Sequence, residues 1–169
     1  MAKMLGLDDV RRETRALLEM EKDVVSGVYS YRWPAPGRKL CLDLYAKEDK
    51  SLKFYLDIIE GKRSSSIVVG LTPPRKTTMQ NRLADMPILR IDRTDEPDTM
   101  VHRNPDGHRI VGSHMHIDLD GSGTRWAVPL SGQTVILGAG EMDVPQLFWS
   151  FLDVCHINGK LEVEQSLGV

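Results

Sequence analysis

The sequence predicts an α+β domain in which seven or eight short antiparallel strands form a curved sheet or a small barrel, with an N-terminal and a C-terminal helix. Three observations lead to this fold class. Apolar and polar residues alternate at strand period through several segments in the middle of the chain. Turns containing proline and glycine separate these segments. Helical spacing of apolar residues is clear only near the two ends of the chain.

The composition limits the class of protein. The chain has 169 residues, of which 41% are hydrophobic and 27% are charged, and we expect residues 1–169 to form a single folded domain. No segment approaches the roughly 20 apolar residues of a membrane helix, and two cysteines are too few for a disulfide framework. We therefore expect a cytoplasmic protein with no membrane partner. The net charge of −2 gives no overall attraction to nucleic acid.

The individual elements follow from periodicity and from capping residues. An opening helix is predicted from Asp8, which can cap it, to about Asp23. The C-terminal helix begins after Asp143, which forms a capping pair with Gln146. Strands are predicted over residues 28–33, 40–45, 52–58, 65–71, 88–92, 124–130 and 160–165, whereas 77–83 is ambiguous.

A hairpin is predicted around residues 104–107, which read Asn-Pro-Asp-Gly and fit a type I turn with a glycine bulge. This turn pairs His102 with Ile110. If the register continues, Asp98 lies opposite His114. His102 then lies several residues from the other histidines, at the edge of the turn, where we expect it to contact substrate and not to act as a third metal ligand.

The return strand of this hairpin, residues 109–119, carries the main chemical signal. Side chains alternate across a strand, so His114, His116 and Asp118 share one face while Met115 faces the core. The polar outer face of a half-buried strand would give a similar pattern. Histidine is an uncommon residue on such a face, so the pair of His114 and His116 indicates a functional site.

Two chemistries fit a His-x-His pair. Neutral imidazoles bind transition metals at this spacing, but the further ligands would have to come from elsewhere in the chain. Alternatively, the two imidazoles act as acid and base in the cleavage of RNA, which supplies its own 2′-hydroxyl nucleophile. Our primary hypothesis is the second, with His114 and His116 catalytic, Asp98 or Asp118 orienting an imidazole, and no metal or cofactor.

A basic segment supplies the candidate phosphate contacts. Between residues 61 and 93, seven basic residues face only two acidic ones, which indicates an anionic ligand such as RNA. A set of solvent-exposed turns would also explain the excess of basic residues. The planar guanidinium of arginine can form two parallel hydrogen bonds to a phosphate. We therefore assign Arg82 to the catalytic site as the residue that binds the phosphate. The predicted substrate-binding residues are Arg63, Arg75, Lys76, Gln80, Asn81 and His102.

Several short motifs occur in a characteristic order. They are Gln-Asn-Arg at 80–82, His-Arg-Asn-Pro-Asp-Gly at 102–107, His-Met-His-Ile at 114–117 and Trp-Ala-Val-Pro-Leu at 126–130. Together they resemble an uncharacterised bacterial family of small proteins associated with mobile elements and defence neighbourhoods. The resemblance covers roughly residues 52–157 and implies no activity. It adds weight to Arg82, His102, His114 and His116 as a site.

The sequence thus predicts a small metal-independent ribonuclease, or an RNA-binding protein, of toxin or phage-defence type. Two alternatives stay open. One is a non-catalytic, protein-binding inhibitor of phage anti-defence type, and the other is a metal-dependent hydrolase that uses the His-x-His pair. RNA or another anionic ligand is the expected partner, and an antitoxin or a host defence complex is the protein partner that these hypotheses allow.

Overall fold

An antiparallel sheet of seven strands dominates the computed structural model, which describes residues 5–63, 74–132 and 143–164. Short 3₁₀ turns lie at Leu7–Asp9, Pro97–Thr99 and Leu130–Gly132. The helices and strands, in chain order, are α1 (Arg12–Glu19), β1 (Lys22–Val24), β2 (Ser30–Arg32), β3 (Lys39–Ala46), β4 (Lys53–Glu60), β5 (Lys76–Leu83), β6 (Met86–Thr94), β7 (Val101–Arg103), β8 (Arg109–Val111), β9 (His114–Ile117), β10 (Trp126–Pro129), α2 (Val144–Val154) and β11 (Glu162–Glu164).

The strands of the main sheet follow the order β1-β3-β4-β5-β6-β9-β10. The α+β prediction is confirmed. The sheet is open, with β1 and β10 at its edges among the described strands, so the barrel alternative is not confirmed. Two smaller units accompany it: β2 pairs in parallel with β11, and β7 pairs with β8 as a hairpin. Within the described residues, no helix is long and apolar enough to cross a membrane.

The two faces of the main sheet differ in character. One face supplies the hydrophobic core through side chains such as Phe54, Ile58 and Met79, which are fully buried. Helix α2 adds Phe148 and Phe151 to the same core. The opposite face is polar, because the alternate positions of the same strands carry charged and amide side chains. Its central row runs across four strands through Asp57, Gln80, Arg90 and His116.

The opening helix is shorter than the predicted range 8–23. Helix α1 ends at Glu19, and Lys22 begins strand β1. The Lys22 side chain is fully buried, and its Nζ donates to the carbonyls of Leu18, Met20 and Cys155 at 3.0, 2.9 and 2.8 Å. A helix leaves its last carbonyls without partners, so a lysine that bonds these groups marks the end of α1.

The other predicted elements have different outcomes in the structure. The ambiguous segment 77–83 is strand β5, which lies between β4 and β6. The segments predicted at 28–33 and 160–165 are strands β2 and β11, which leave the main sheet and pair with each other. Asp143 caps α2 by accepting a hydrogen bond from the Gln146 N–H, as predicted. The predicted strand 65–71 lies outside the described residues.

The predicted hairpin turn is confirmed, but its return strand is broken. His102 pairs with Ile110 in the expected register. At Gly112 the backbone takes a positive φ of 90°, which favours glycine, and its N–H donates to the Met100 carbonyl. Strand β9 then leaves the hairpin and joins the main sheet beside β6. Asp98, predicted to lie opposite His114, is therefore exposed in the turn Pro97–Thr99.

Candidate functional site

Three histidines and one aspartate meet on the polar face of the sheet. Asp92 on β6 is the direct cross-strand partner of His114 on β9. His116 Nε2 lies 2.9 Å from Asp92 Oδ2 and 3.0 Å from His114 Nε2, and His114 Nε2 lies 3.6 Å from the same carboxylate oxygen. One ring nitrogen of His102 lies within 4.8 Å of the nitrogens of the other two histidines. We call these four residues the His–Asp cluster.

Backbone carbonyls fix which nitrogen of each histidine carries a proton. His114 Nδ1 lies 2.7 Å from the Gly112 carbonyl, and His116 Nδ1 lies 3.2 Å from the Thr124 carbonyl. A carbonyl oxygen can only accept, so Nδ1 is the donor in both rings. In a neutral imidazole the other nitrogen then carries a lone pair. His114 and His116 therefore present their Nε2 lone pairs to each other.

This arrangement requires a positive charge at its centre. The two Nε2 lone pairs and the Asp92 carboxylate lie too close together to be stable without a proton or a cation between them. A proton on His116 Nε2 would be donated to Asp92, and a metal ion would accept all three lone pairs. Histidines that bind metals commonly donate their second ring nitrogen to a backbone carbonyl or a carboxylate, as His114 and His116 do here.

Asp92 is held in its charged form. Burial alone would raise its pKa, but the contact with His116, the hydrogen bond from Thr78 and the neighbouring Arg90 outweigh burial and keep the pKa of Asp92 well below its usual range. The Thr78 hydroxyl donates to Oδ1 at 2.5 Å, and Arg90 Nε lies 3.1 and 3.0 Å from the two carboxylate oxygens. Asp92 is therefore an ionised carboxylate with a fixed orientation.

His114 is held in its neutral form. Burial lowers its pKa, and the neighbouring His116 acts in the same direction, whereas the Gly112 carbonyl and Asp92 oppose them. A neutral imidazole is the form that binds a metal ion or accepts a proton. The Nε2 atom of His114 is therefore available as a ligand or as a base near neutral pH.

The β7–β8 hairpin brings His102 to the other histidines. Its ring centroid lies 4.7 Å from that of His116 and 5.6 Å from that of His114. The buried Asn104 side chain holds the hairpin against β10, because it bonds both the N–H and the carbonyl of Ala127, at 2.7 and 2.9 Å. The expectation that His102 lies several residues away is thus wrong, since the bend at Gly112 folds the hairpin back over the sheet.

Arg82, predicted to be catalytic, is not brought to the His–Asp cluster. Its Nε forms an ion pair with the buried Asp57 at 2.7 Å, and its guanidinium lies 4.1 Å from the centre of the Tyr55 ring. Two strand spacings and two residues separate its position from that of His116, a Cα distance of roughly 12 Å. Gln80, predicted to contact substrate, also bonds Asp57.

The other predicted substrate contacts are spread over the molecule. Arg75 forms an ion pair with Glu60 at 2.9 Å. Asn81 is fully buried on the core face of the sheet, where its amide donates to a backbone carbonyl. Lys76 reaches a backbone carbonyl at 3.3 Å, and Arg63 is exposed. Among the predicted substrate-binding residues, His102 is the one that the described structure places in the His–Asp cluster.

Asp118, predicted to orient an imidazole, instead anchors the N-terminal helix. It is buried, and its Oδ2 accepts the Thr14 hydroxyl at 2.6 Å while its Oδ1 accepts the Gly121 N–H at 2.8 Å. Its backbone carbonyl accepts the N–H of Arg11 at the start of α1. The orienting role falls to Asp92, which lies at the end of the predicted strand 88–92.

Replacing Asp118 by alanine is expected to lower the unfolding free energy by about 2 kcal/mol, because the buried Thr14 hydroxyl and the Gly121 N–H lose their acceptor. Metal binding by the His–Asp cluster should change less than about threefold, since the hydrogen bonds of the Asp118 carboxylate go to Thr14 and Gly121. Urea unfolding measures the first effect and calorimetry the second. Asp98→Ala is the matched control and should change stability by less than about 0.5 kcal/mol. A large loss of metal binding in Asp118→Ala would contradict this assignment.

Comparison with known proteins adds one result. Residues 11–157 match the sequence pattern of a protein family described as a family of unknown function. The chain belongs to DUF6978. The prediction of an uncharacterised family is confirmed to that extent, and the DUF6978 match includes every member of the His–Asp cluster. Comparisons with curated proteins and with solved structures gave no match.

Proposed function

We propose that the protein is a metal-dependent hydrolase whose divalent ion, most simply zinc, is held by His114, His116 and Asp92. The observation that carries this proposal is that three lone-pair atoms, the Nε2 atoms of both histidines and Asp92 Oδ2, lie 2.9, 3.0 and 3.6 Å from one another. The second nitrogen of each histidine bonds a backbone carbonyl. Tetrahedral zinc with bonds of about 2.05 Å separates its ligand atoms by about 3.3 Å. The three distances bracket this value.

The ligand set matches the chemistry of a catalytic zinc ion. Two imidazoles and a carboxylate leave a fourth position for water, as in many zinc hydrolases, and bound zinc lowers the pKa of that water to about 7. The ring nitrogen of His102 lies within 4.8 Å of the ligand nitrogens. His102 Nε2 lies 3.0 Å from the Arg125 carbonyl and donates to it, so in a neutral ring Nδ1 is the atom that would accept a proton from the water.

A second candidate is the metal-independent ribonuclease of toxin or phage-defence type. The observation that favours it is the 3.0 Å contact between His114 and His116, because one proton between the rings gives an acid and a base side by side. Two features weaken it. Both Nε2 atoms face each other within a largely buried cluster, and Arg82, expected to hold phosphate, is engaged by Asp57.

Metal binding by purified protein tests the first candidate. We expect EDTA-treated wild type to bind one equivalent of zinc in calorimetry, with an affinity that falls by at least about 100-fold in His116→Ala. The exposed His108, in the hairpin turn, provides the matched control. His108→Ala should bind zinc as wild type does.

Three outcomes would contradict the metal site or support one of the alternative functions. Wild type that binds neither zinc nor cobalt nor manganese contradicts the metal site. Cleavage of cellular RNA in the presence of EDTA, lost in His114→Ala, supports the ribonuclease. A stoichiometric complex with a protein partner that forms equally well with His114→Ala and His116→Ala supports the non-catalytic, protein-binding alternative.

A further inference from the structure

Arg90 lies against the His–Asp cluster and is the direct cross-strand neighbour of His116. Its Nε bonds both oxygens of Asp92, and its side chain is 43% exposed. Arginine presents five N–H groups in a planar fork. The contact with Asp92 uses only Nε, and within the described residues the two terminal nitrogens have no protein partner.

Two other arginines of the basic segment direct terminal nitrogens to protein groups. In Arg82, Nε bonds Asp57, Nη1 bonds the Ala84 carbonyl and Nη2 contacts the Cys41 sulfur. Arg93 uses Nη1 to bond Asp95. Arg90 therefore combines a fixed position beside the cluster with terminal donors that are available to a ligand.

The solvent exposure of the cluster indicates the direction of approach. The side chain of His116 is 11% exposed, compared with 8% for Asp92 and 4% for His114. Among the three proposed metal ligands, access is thus greatest beside His116. A substrate that approaches the ion from this side passes the terminal nitrogens of Arg90.

The charge of this region selects an anionic substrate. A divalent ion and Arg90 together outweigh the single carboxylate of Asp92, so an anion is attracted more strongly than a neutral amide or ester. A phosphodiester has two non-bridging oxygens, one of which can bind the metal while the other accepts the arginine fork. Both groups would then stabilise the charge that develops on the phosphoryl oxygens during the reaction.

We propose that the site hydrolyses phosphodiesters and that Arg90 binds the phosphate. This inference rests on the proposed metal-dependent hydrolase. Water adds to phosphorus, the P–O bond to one alcohol breaks, and the proton released by the water ends on the departing alkoxide. One water and one phosphodiester thus give a phosphomonoester and an alcohol. An RNA strand, a DNA strand and a small diester all supply this chemical group.

The test compares zinc-loaded wild type with Arg90→Gln and with Arg93→Gln, a control on the same strand. The substrates are bis(p-nitrophenyl) phosphate, single-stranded RNA and DNA oligonucleotides, and the neutral ester p-nitrophenyl acetate. We expect Arg90→Gln to lower kcat/KM for the diesters by about 100-fold, a larger loss than for the neutral ester, and to weaken calorimetric binding of inorganic phosphate. Arg93→Gln should behave as wild type. The RNA and DNA arms show which polymer is the source of the diester.

Different outcomes of this experiment test the phosphodiester inference and the proposed metal site separately. Wild type that binds no metal removes the proposed function and this inference together. Wild type that binds zinc but leaves every phosphodiester intact, or an Arg90→Gln variant that cleaves them normally, overturns the inference and leaves the metal site standing. Loss of zinc from Arg90→Gln would also overturn it, because Arg90 would then act only by positioning Asp92.

Discussion

Replacing Lys22 by methionine is expected to lower the unfolding free energy by about 3 kcal/mol or more. The Lys22 Nζ is buried and donates to three backbone carbonyls, one of them in the last turn of α1 and another, Cys155, directly after α2. It also lies 4.8 Å from the centre of the Phe54 ring. Methionine fills a similar volume but donates no hydrogen bond, so these carbonyls lose their partner. Urea unfolding followed by tryptophan fluorescence measures the effect.

The contribution of Lys22 should depend on pH in a defined direction. Burial lowers its pKa to about 8, whereas an unfolded lysine titrates near 10.4. Between these values the unfolded chain binds more protons, so the unfolding free energy of wild type should rise with pH relative to that of Lys22→Met. Lys53→Met, on the surface, is the control and should change stability by less than about 0.5 kcal/mol. Equal stability of the two variants would contradict the structural role of Lys22.

The strands that could be predicted are those whose two faces differ in polarity. In β3 and β4, leucine, phenylalanine and isoleucine alternate with polar residues because one face packs on the core. Strand β5 was ambiguous because Thr77 and Asn81 occupy inward positions on it and both are buried. Their side chains bond Glu60 and the Tyr55 carbonyl. Polar residues with partners in the core interrupt the alternation that a prediction depends on.

Two of the four residues of the His–Asp cluster can be grouped from the sequence alone, and the other two cannot. His114 and His116 belong to one strand, so their shared face follows from period-two alternation alone. Asp92 and His102 reach them through the pairing of β6 with β9 and through the bend at Gly112. Both depend on tertiary structure. A glycine two residues before a His-x-His pair was the available signal for that bend, since glycine readily adopts a positive φ.

The basic segment shows why a count of charges overestimates an anion-binding surface. Basic residues do outnumber acidic ones between residues 61 and 93, but the fold places carboxylates from outside the segment beside these basic side chains. Asp57 engages Arg82, and Glu60 engages Arg75. Because those partners lie just before the segment, a window limited to residues 61–93 leaves them out. Arg90 keeps exposed donors although it contacts Asp92, so exposure and pairing identify it better than charge alone.

Zinc is expected to stabilise the EDTA-treated protein strongly. A ligand that binds only the folded state adds about 4 kcal/mol of unfolding free energy at 1,000 times its dissociation constant. For a chain of 169 residues, this corresponds to a rise in Tm of about 10 °C. The physical source is the replacement of mutual repulsion among His114, His116 and Asp92 by three bonds to one ion. Thermal unfolding with and without zinc, followed by circular dichroism, measures the shift.

The identity of the ion and the ligands provides the controls for this shift. Magnesium should not stabilise the protein, because it prefers an octahedral shell of oxygen ligands, whereas two of the three proposed ligands are imidazole nitrogens. His108→Ala should show the full zinc shift and His116→Ala almost none. A comparable shift in His116→Ala would mean that zinc binds elsewhere. If the Tm of wild type does not change with zinc, the lone pairs are joined by a proton, and the ribonuclease becomes the better account of the His–Asp cluster.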